Sequence, residues 1–216
     1  MTAAVADQVV AIDTPAVRGF LHEAEAASGA GLVLTHGAGS DCGAPLLIAV
    51  AARFCAAGTT VLRCDLAFRR ARAKGPPSPA TAAGDRAGLR DAVAVLGEKI
   101  SGPIYLGGHS YGGRQASMLA AEEPAVAAAL LLLSYPLHPP LKPAQLRTQH
   151  FPKLAVPALF VHGTKDAFGT VAELATAIGA IPAPTRVIAI DGAGHDLKRG
   201  KFDLDAAVAA LPQLTR

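Results

Sequence analysis

The sequence predicts an α/β fold in which a mainly parallel β-sheet carries helices on both faces. Short, continuously apolar segments alternate with longer amphipathic ones from residue 31 onward. Continuous apolar runs are typical of strands covered on both sides, and right-handed crossovers between them place helices on both faces. With 216 residues, of which 51% are hydrophobic and 17% charged, we expect a single domain over residues 1–216.

The apolar runs locate the strands. Two short segments come first and are expected to pair as a hairpin, at 8–12 and 17–22. The strands of the parallel sheet are predicted at 31–35, 59–64, 103–107, 126–134, 156–162 and 186–190. Each of the later strands follows a helical or irregular segment long enough for a crossover, so the pattern favours parallel pairing.

Apolar residues at helical spacing locate the helices between these strands. Helices are predicted at 45–57, 82–100, 111–123, 171–179 and 202–211. Two proline-rich stretches interrupt this alternation: 65–81 is expected to be a long surface loop, and 135–152 is expected to be irregular.

Composition excludes several classes of function. The net charge of +3 at pH 7, an aromatic content of 5% and the lack of Trp argue against nucleic-acid binding. The longest apolar run, 125–133, is too short to span a membrane, and the first residues lack the features of a signal peptide. Three scattered cysteines, Cys42, Cys55 and Cys64, lack metal-ligand spacing and favour reduced thiols in a cytoplasmic protein. No metal or cofactor is predicted.

The strongest chemical signal is a G-x-S-x-G motif over residues 108–112, directly between a predicted strand and a predicted helix. A serine on such a sharp turn needs small neighbours, which Gly108 and Gly112 supply. The amide at the start of the helix then points towards developing negative charge. Ser110 is therefore the candidate nucleophile.

A serine nucleophile needs a base and an orienting acid, which in this architecture follow the serine at the ends of later strands. Asp166 follows the strand at 156–162, and His195 follows the strand at 186–190. Asp191 and Asp196 flank His195 as rival acids, but one lies at the strand end and the other adjoins the histidine. The order Ser110, Asp166, His195 is the predicted catalytic set.

An oxyanion hole requires two backbone N–H groups. The amide of Tyr111, directly after the nucleophile, is the first candidate. The second is the amide of Ala38 in the glycine-rich loop 36–40 that follows the first parallel strand. The same loop supports an alternative, because Gly-Ala-Gly after a strand, with Asp65 ending the next strand, is close to a dinucleotide-binding pattern. Cys42 occupies the third glycine position and weakens this alternative.

Two further groups of residues have open interpretations. The basic cluster Arg69–Lys74 follows the end of a strand and either recognises an anionic substrate group or is a solvated loop. The other histidines are expected to be structural: local hydrogen bonds for His36, His109 and His162, and surface or loop positions for His22, His138 and His150.

Taken with their order, the strings THGAGSD, LGGHSYGGRQAS, LLLLSYPLHPP, LFVHGTKDAFG and DGAGHDLK resemble α/β hydrolases of the dienelactone-hydrolase-like group. THGAGSD and SYPLHPP resemble, more narrowly, the branch of testis-expressed protein 30 and the NSL complex regulatory subunit. The resemblance implies an α/β-hydrolase fold with Ser110, Asp166 and His195 as the triad and Ala38 and Tyr111 as oxyanion donors. Dienelactone hydrolase itself uses a cysteine nucleophile, so its lactone substrate is not carried over.

The function predicted from the sequence is a small cytoplasmic serine hydrolase that cleaves an ester or thioester. The segment 135–152 stands where lipases carry a large helical lid, so a minimal lid and short-chain substrates are expected. The alternative is a catalytically quiet hydrolase-like scaffold that acts as a protein-interaction module. Reaction of Ser110 with a serine-directed phosphonate distinguishes the two.

Overall fold

The α/β fold is confirmed: a computed structural model, which describes residues 8–198 and 203–215, contains one eight-stranded sheet flanked by helices. The sheet order is β1-β2-β4-β3-β5-β6-β7-β8. The strands are β1 Gln8–Asp13, β2 Arg18–Glu23, β3 Gly31–Thr35, β4 Thr60–Cys64, β5 Ile104–His109, β6 Ala129–Leu133, β7 Ala158–Gly163 and β8 Thr185–Ile190.

Two antiparallel pairs begin the sheet and parallel pairs complete it. β1 pairs with β2 as the predicted hairpin, and β2 pairs antiparallel with β4. In the rest of the sheet, in the order β4-β3-β5-β6-β7-β8, every adjacent pair of strands is parallel. The carboxyl ends of β3, β5, β7 and β8 therefore lie along one edge of the sheet, where ligand sites of such folds form.

The described residues form six α-helices, five between strands and one after β8. They are α1 Pro45–Ala56, α2 Ala67–Ala71, α3 Ala82–Gly97, α4 Tyr111–Glu122, α5 Val171–Ile178 and α6 Leu204–Gln213. The residue at which the last helix was predicted to begin, Phe202, lies outside the described residues, as does the start of the chain on which the signal-peptide prediction rests. None of the described helices has the length and hydrophobicity needed to cross a membrane.

Alternation along the strands explains why helices cover both faces. In β3, Leu32 and Leu34 pack on the face covered by α1 and α6, whereas Val33 between them packs on the face covered by α3 and α4. All three side chains are fully buried. Successive side chains of a strand point to opposite faces, so a run of apolar residues fills two separate cores.

The stretch 65–81 differs from its prediction as a surface loop. It contains α2 and a short 3-10 turn at Pro79–Thr81, and Phe68 in α2 is buried. The Phe68 amide donates to Asp85 of α3 at 2.9 Å, and its ring packs edge-on against those of His36 and Tyr111. The prolines and glycine of this stretch predict a loop. The sequence does not indicate the anchoring of Phe68, because its partners are distant along the chain.

Several strand boundaries differ by one to three residues, among them the end of β5 and the start of β6. β5 continues to His109, two residues beyond the predicted end, so the strand runs to the residue before Ser110. β6 begins at Ala129 rather than 126, because the preceding residues Pro124–Val126 form a 3-10 turn. The first difference matters for the site, since it leaves Ser110 as the only residue between strand and helix.

Candidate active site

Ser110 occupies the tight turn that the G-x-S-x-G motif predicts. β5 ends at His109 and α4 begins at Tyr111, and Ser110 between them has φ 51° and ψ −117°. A positive φ is costly for a residue with a side chain, and here the Ser110 amide is held by a 2.8 Å hydrogen bond to the Leu133 carbonyl at the end of β6. The sheet thus fixes the strained serine in place.

The two motif glycines allow close backbone contacts around this turn. A Cβ on Gly112 would lie 2.5 Å from the His36 carbonyl oxygen, and one on Gly108 would lie 2.8 Å from the Thr35 carbonyl oxygen. Both distances are shorter than a side chain tolerates, so the start of α4 can pack against the end of β3 only with glycine here. This packing sets loop 36–40 beside Ser110.

His195 and Asp166 meet Ser110 in the predicted order. The His195 Nε2 atom lies 2.8 Å from Ser110 Oγ, and its Nδ1 atom lies 2.8 Å from Asp166 Oδ2 and 3.0 Å from Oδ1. A carboxylate only accepts, so Nδ1 carries the proton and donates to Asp166. Nε2 is then free to accept from the Ser110 hydroxyl, which is the arrangement that a general base requires.

The carboxylate of Asp166 is shielded from solvent, whereas the imidazole is partly open. The Asp166 side chain is 0% exposed and the His195 side chain 23% exposed. Asp166 Oδ1 also accepts from the Phe168 amide at 2.8 Å, and the Phe168 ring stacks on the imidazole with centroids 4.1 Å apart. The short segment after β7 therefore orients both the acid and the base.

The loop that carries His195 is tied to the serine turn by His109. The His109 Nε2–H donates to the His195 carbonyl oxygen at 2.8 Å, and burial lowers the pKa of His109. Sequence reasoning predicted only a local bond for His109. The observed partner is 86 residues away, so this histidine links β5 to the loop after β8.

Ala38 and Tyr111 lie beside Ser110 and line the same cavity. Among the described residues, the Ala38 and Tyr111 amides make no hydrogen bond to a backbone carbonyl outside the helices and strands. The Tyr111 hydroxyl donates to buried Asp85 at 2.8 Å, which anchors the start of α4. The two residues that carry the predicted oxyanion donors thus line the cavity beside Ser110, and Tyr111 is anchored through its side chain.

The rival acids and the dinucleotide alternative find other partners. Asp191 accepts from the Thr164 hydroxyl at 3.2 Å, and Asp196 pairs with Lys198, so neither reaches His195 Nδ1. Asp65, which a dinucleotide site would use for a ribose, accepts from Arg18 Nε and from the Cys42 amide, each at 2.8 Å. Its oxygens serve the fold instead.

The remaining histidine predictions hold in part. His36 and His162 make the expected local bonds, to Gly37 and Gly169 carbonyls at 2.8 Å each. The prediction of a surface or loop position is wrong for His22, which is buried in β2, whereas His138 and His150 do lie in the irregular stretch between β6 and β7. His138 is nevertheless buried, and His150 is half-buried with its Nε2 atom 2.8 Å from Ser117 Oγ. Each lies between elements distant in sequence, which local patterns do not reveal.

The basic cluster also differs from both interpretations at its first residue. Arg69 is 5% exposed and donates to the Ser40 and Ala38 carbonyls at 2.8 and 3.1 Å. The same guanidinium bonds carbonyls of the segment 72–75. Arg69 is therefore neither solvated nor directed at a ligand: it fastens loop 36–40, which carries Ala38.

A cavity of about 600 Å³ opens beside Ser110. Its walls come from α4 and from the two proline-rich segments. Among the lining residues are Arg114, Gln115 and Arg147, which sequence reasoning did not single out. Arg114 carried a signal, because it lies four residues after Ser110 and hence on the same helix face. Arg147 carried none.

The described residues give no metal site and no reactive thiol. Within residues 8–198 and 203–215, no three His, Cys, Asp or Glu side chains are grouped so as to hold a metal ion. Cys42, Cys55 and Cys64 are all buried. Burial raises the pKa of both Cys42 and Cys64 to about 12, so their thiolate forms are scarce at neutral pH.

Comparisons with solved structures agree with this fold. A dienelactone hydrolase from Anabaena variabilis superposes with a TM-score of 0.73 at 21% identity, with 94% of each chain covered. TT1662 from Thermus thermophilus gives a TM-score of 0.78 at 18% identity over 98% of this chain and 99% of its own. XC6422 from Xanthomonas campestris, described as a serine hydrolase without a lid, gives 0.69 at 16% identity over 97% and 94%.

No large lid is evident over the site, as predicted. The narrower resemblance to the testis-expressed protein 30 branch stays a prediction. Comparison with protein families matches residues 28–210, most of the chain, to the alpha/beta hydrolase domain. With the fold and the site geometry described above, the chain belongs to the alpha/beta hydrolase family.

Proposed function

We propose that this chain is a serine hydrolase that cleaves an ester or thioester of a small acyl substrate. The observation that carries the proposal is the continuous hydrogen-bonded set from Ser110 Oγ through the His195 imidazole to Asp166, with both contacts at 2.8 Å. Nucleophile, base and orienting acid in this geometry are what acyl transfer requires.

In the first half of the reaction, Ser110 Oγ attacks the substrate carbonyl carbon while His195 Nε2 takes the hydroxyl proton. The carbonyl oxygen gains negative charge, which the Ala38 and Tyr111 amides would bind. Asp166 stabilises the imidazolium through Nδ1. The tetrahedral intermediate then collapses, the bond to the alcohol or thiol breaks, and His195 returns its proton to that leaving group.

Water completes the cycle. His195 takes a proton from a water molecule, whose oxygen attacks the acyl carbon bound to Ser110. Collapse of the second intermediate releases the carboxylic acid and restores the serine hydroxyl. Donors that are already in place, as proposed for the Ala38 and Tyr111 amides, would lower the barrier because little reorganisation is needed during the reaction.

The test is intact-mass measurement after incubation with a fluorophosphonate, with wild type beside Ser110→Ala and His195→Ala. We expect one adduct on the wild type, none on Ser110→Ala and strongly slowed labelling of His195→Ala. A folded wild type that forms no adduct would contradict the proposal and favour the quiet interaction scaffold. Arg90→Gln, on the far face of α3, is the matched control and should label at the wild-type rate.

The remaining parts of the functional prediction are proposed with it. Residues 1–216 act as one catalytic domain on a small molecule, without nucleic acid, membrane, metal or cofactor. The buried, unpaired thiols of Cys42 and Cys64 support a reducing compartment such as the cytoplasm. Labelling of the cytosolic fraction after cell lysis tests this location.

A further inference from the structure

The charged side chains that line the cavity beside Ser110 are all positive among the described residues. Most of its wall is apolar, with four prolines, Met118 and Phe168 among the lining residues. Its charged lining groups are two guanidinium groups, Arg114 and Arg147, and among the described lining residues there is no carboxylate. An apolar pocket with a few converging donors selects ligands by the groups that those donors bind.

Arg114 has spare hydrogen-bonding capacity. It lies in the first turn of α4, where its amide donates to the Ser110 carbonyl at 3.0 Å. Its side-chain Nε is buried and has no partner among the described residues. Two groups near its guanidinium, Tyr135 and His150, are neutral: burial raises the pKa of the Tyr135 hydroxyl and lowers the pKa of His150 to about 4.

Arg147 makes few side-chain hydrogen bonds, and its backbone is firmly positioned. Its backbone is fixed on both sides, because its amide donates to the Leu137 carbonyl at 2.8 Å and its carbonyl accepts from the Tyr135 hydroxyl at 2.6 Å. The guanidinium has one long contact, 3.5 Å to the Pro136 carbonyl. Burial and the neighbouring Arg114 lower the pKa of Arg147. An anion between the two cations would relieve this repulsion.

A third donor is fixed in the same wall. Gln115 is fully buried, and its Oε1 atom accepts from Arg86 Nη1 at 3.2 Å. Arginine only donates, so the amide oxygen must face Arg86 and the NH₂ group must face the other way. That Nε2 atom is buried and has no partner among the described residues. An unmade hydrogen bond of this kind is costly unless a ligand completes it.

The nearby carboxylates are already engaged. Glu122 pairs with Arg86 at 2.9 Å, and Glu123 bonds Arg90 on the surface. Asp85 accepts from the Tyr111 hydroxyl and from a backbone amide. Within the described part of the chain, no acidic side chain forms an ion pair with either cavity arginine.

We propose that this cavity binds an oxyanion, a carboxylate or phosphate carried by the ester or thioester substrate, through Arg114, Arg147 and the Gln115 amide. The inference rests on the proposed function and names its substrate class: an ester whose apolar body separates the reacting carbonyl from an anionic group. Guanidinium groups bind both anions through paired N–H donors, so the geometry suits either.

The experiment compares matched ester pairs at pH 7.5. One pair is mono-4-nitrophenyl suberate and its neutral methyl ester, with the anion on the acyl side. The other is 4-acetoxybenzoate and its methyl ester, with the anion on the leaving group. We expect kcat/KM to favour the anionic member of at least one pair by about 10-fold or more, the size of one charge-assisted hydrogen bond.

Variants locate the preference. Arg114→Gln and Arg147→Gln should each remove most of it, Arg114→Lys should keep part of it, and the surface control Arg90→Gln should retain it fully. Inhibition by heptanoate, hexyl phosphate and neutral heptanamide separates the anions: the stronger of the first two identifies the preferred one. Heptanamide should inhibit more weakly than both. If one arginine variant fails to fold, the other variant and the wild-type pairs still decide.

Two results would overturn the proposal. Neutral members hydrolysed as well as anionic ones in both pairs would show that the arginines do not select substrate charge. A preference unchanged in both glutamine variants would place its origin elsewhere. Should wild type hydrolyse no ester, calorimetric titration of Ser110→Ala with heptanoate and hexyl phosphate still tests anion binding, so this failure differs from failure of the hydrolase proposal.

Discussion

Replacing Arg69 tests whether a residue outside the triad holds the oxyanion loop in place. Arg69→Met keeps a long apolar stem but removes the guanidinium. In the native protein that group donates to Ser40 and Ala38 carbonyls on one side and to Ala73 and Gly75 carbonyls on the other. The variant therefore releases loop 36–40 from the segment 72–75 without touching Ser110.

The expected magnitudes follow from these bonds. Hydrogen bonds from a charged donor contribute about 1.5–3 kcal/mol each, and they are not additive within one group. Four contacts between 2.8 and 3.3 Å, in a side chain only 5% exposed, give an expected loss of about 3–4 kcal/mol of unfolding free energy. One oxyanion donor is worth about 100- to 1,000-fold in kcat, and partial misplacement of the Ala38 amide should cost about 10- to 100-fold.

The assay measures kcat and KM on one ester, together with urea unfolding. Arg69→Met should lower kcat and leave KM within about 3-fold, since loop 36–40 acts on the transition state more than on bound substrate. Arg70→Gln is the control, because Arg70 bonds carbonyls of the β1–β2 turn at Pro15 and Ala16 instead. A folded Arg69→Met enzyme with wild-type kcat would refute the reasoning.

Three further predictions follow. Gly112→Ala should destabilise the protein by about 2 kcal/mol and impair labelling, because its Cβ would lie 2.5 Å from a backbone carbonyl oxygen. Gly84→Ala should stabilise the protein by about 0.5–1 kcal/mol, because no atom lies within 4 Å of the added Cβ. Thermal unfolding compares the two variants. Burial lowers the folded-state pKa of His150 from 6.5 to about 4, so the free energy of unfolding should be greatest above pH 6.5 and fall as the pH drops towards 4. In His150→Gln, urea unfolding should show a loss on acidification that is smaller by about 1–2 kcal/mol, a value that allows for the partial exposure of the side chain. Cys42 and Cys64 should react with a disulfide reagent only after unfolding, seen as a thiol titre that rises in guanidinium.

The sequence predicts most of the sheet because its signal is local. Strands buried on both faces need continuous apolar runs, and six such runs stand in the expected order. Segment 65–81 was missed because its order depends on distant partners: Phe68 is anchored by Asp85, 17 residues away. Proline and glycine content predicts where a helix is unstable on its own, but it does not reveal a distant side chain that stabilises the helix through a tertiary contact.

The same division applies to the site. Ser110, Asp166 and His195 could be placed because each follows a strand, and strand ends meet at one edge of a parallel sheet. Arg147 could not, because it lies in an irregular segment whose path is set by the buried Tyr135 and by tertiary packing. The residues proposed to select the substrate therefore depend on loop conformation, whereas those proposed to perform the chemistry depend on topology.

The separation of the triad along the chain has a consequence for folding. Ser110 and His195 are 85 residues apart, and His195 follows β8, the outermost strand of the parallel part, whose side chains are mostly half-exposed. A growing chain on the ribosome thus holds its nucleophile long before it can hold its base. Local opening of this edge strand would separate His195 from Ser110 while the rest of the sheet stays protected from hydrogen exchange, so the proposed activity would require β8 to be docked.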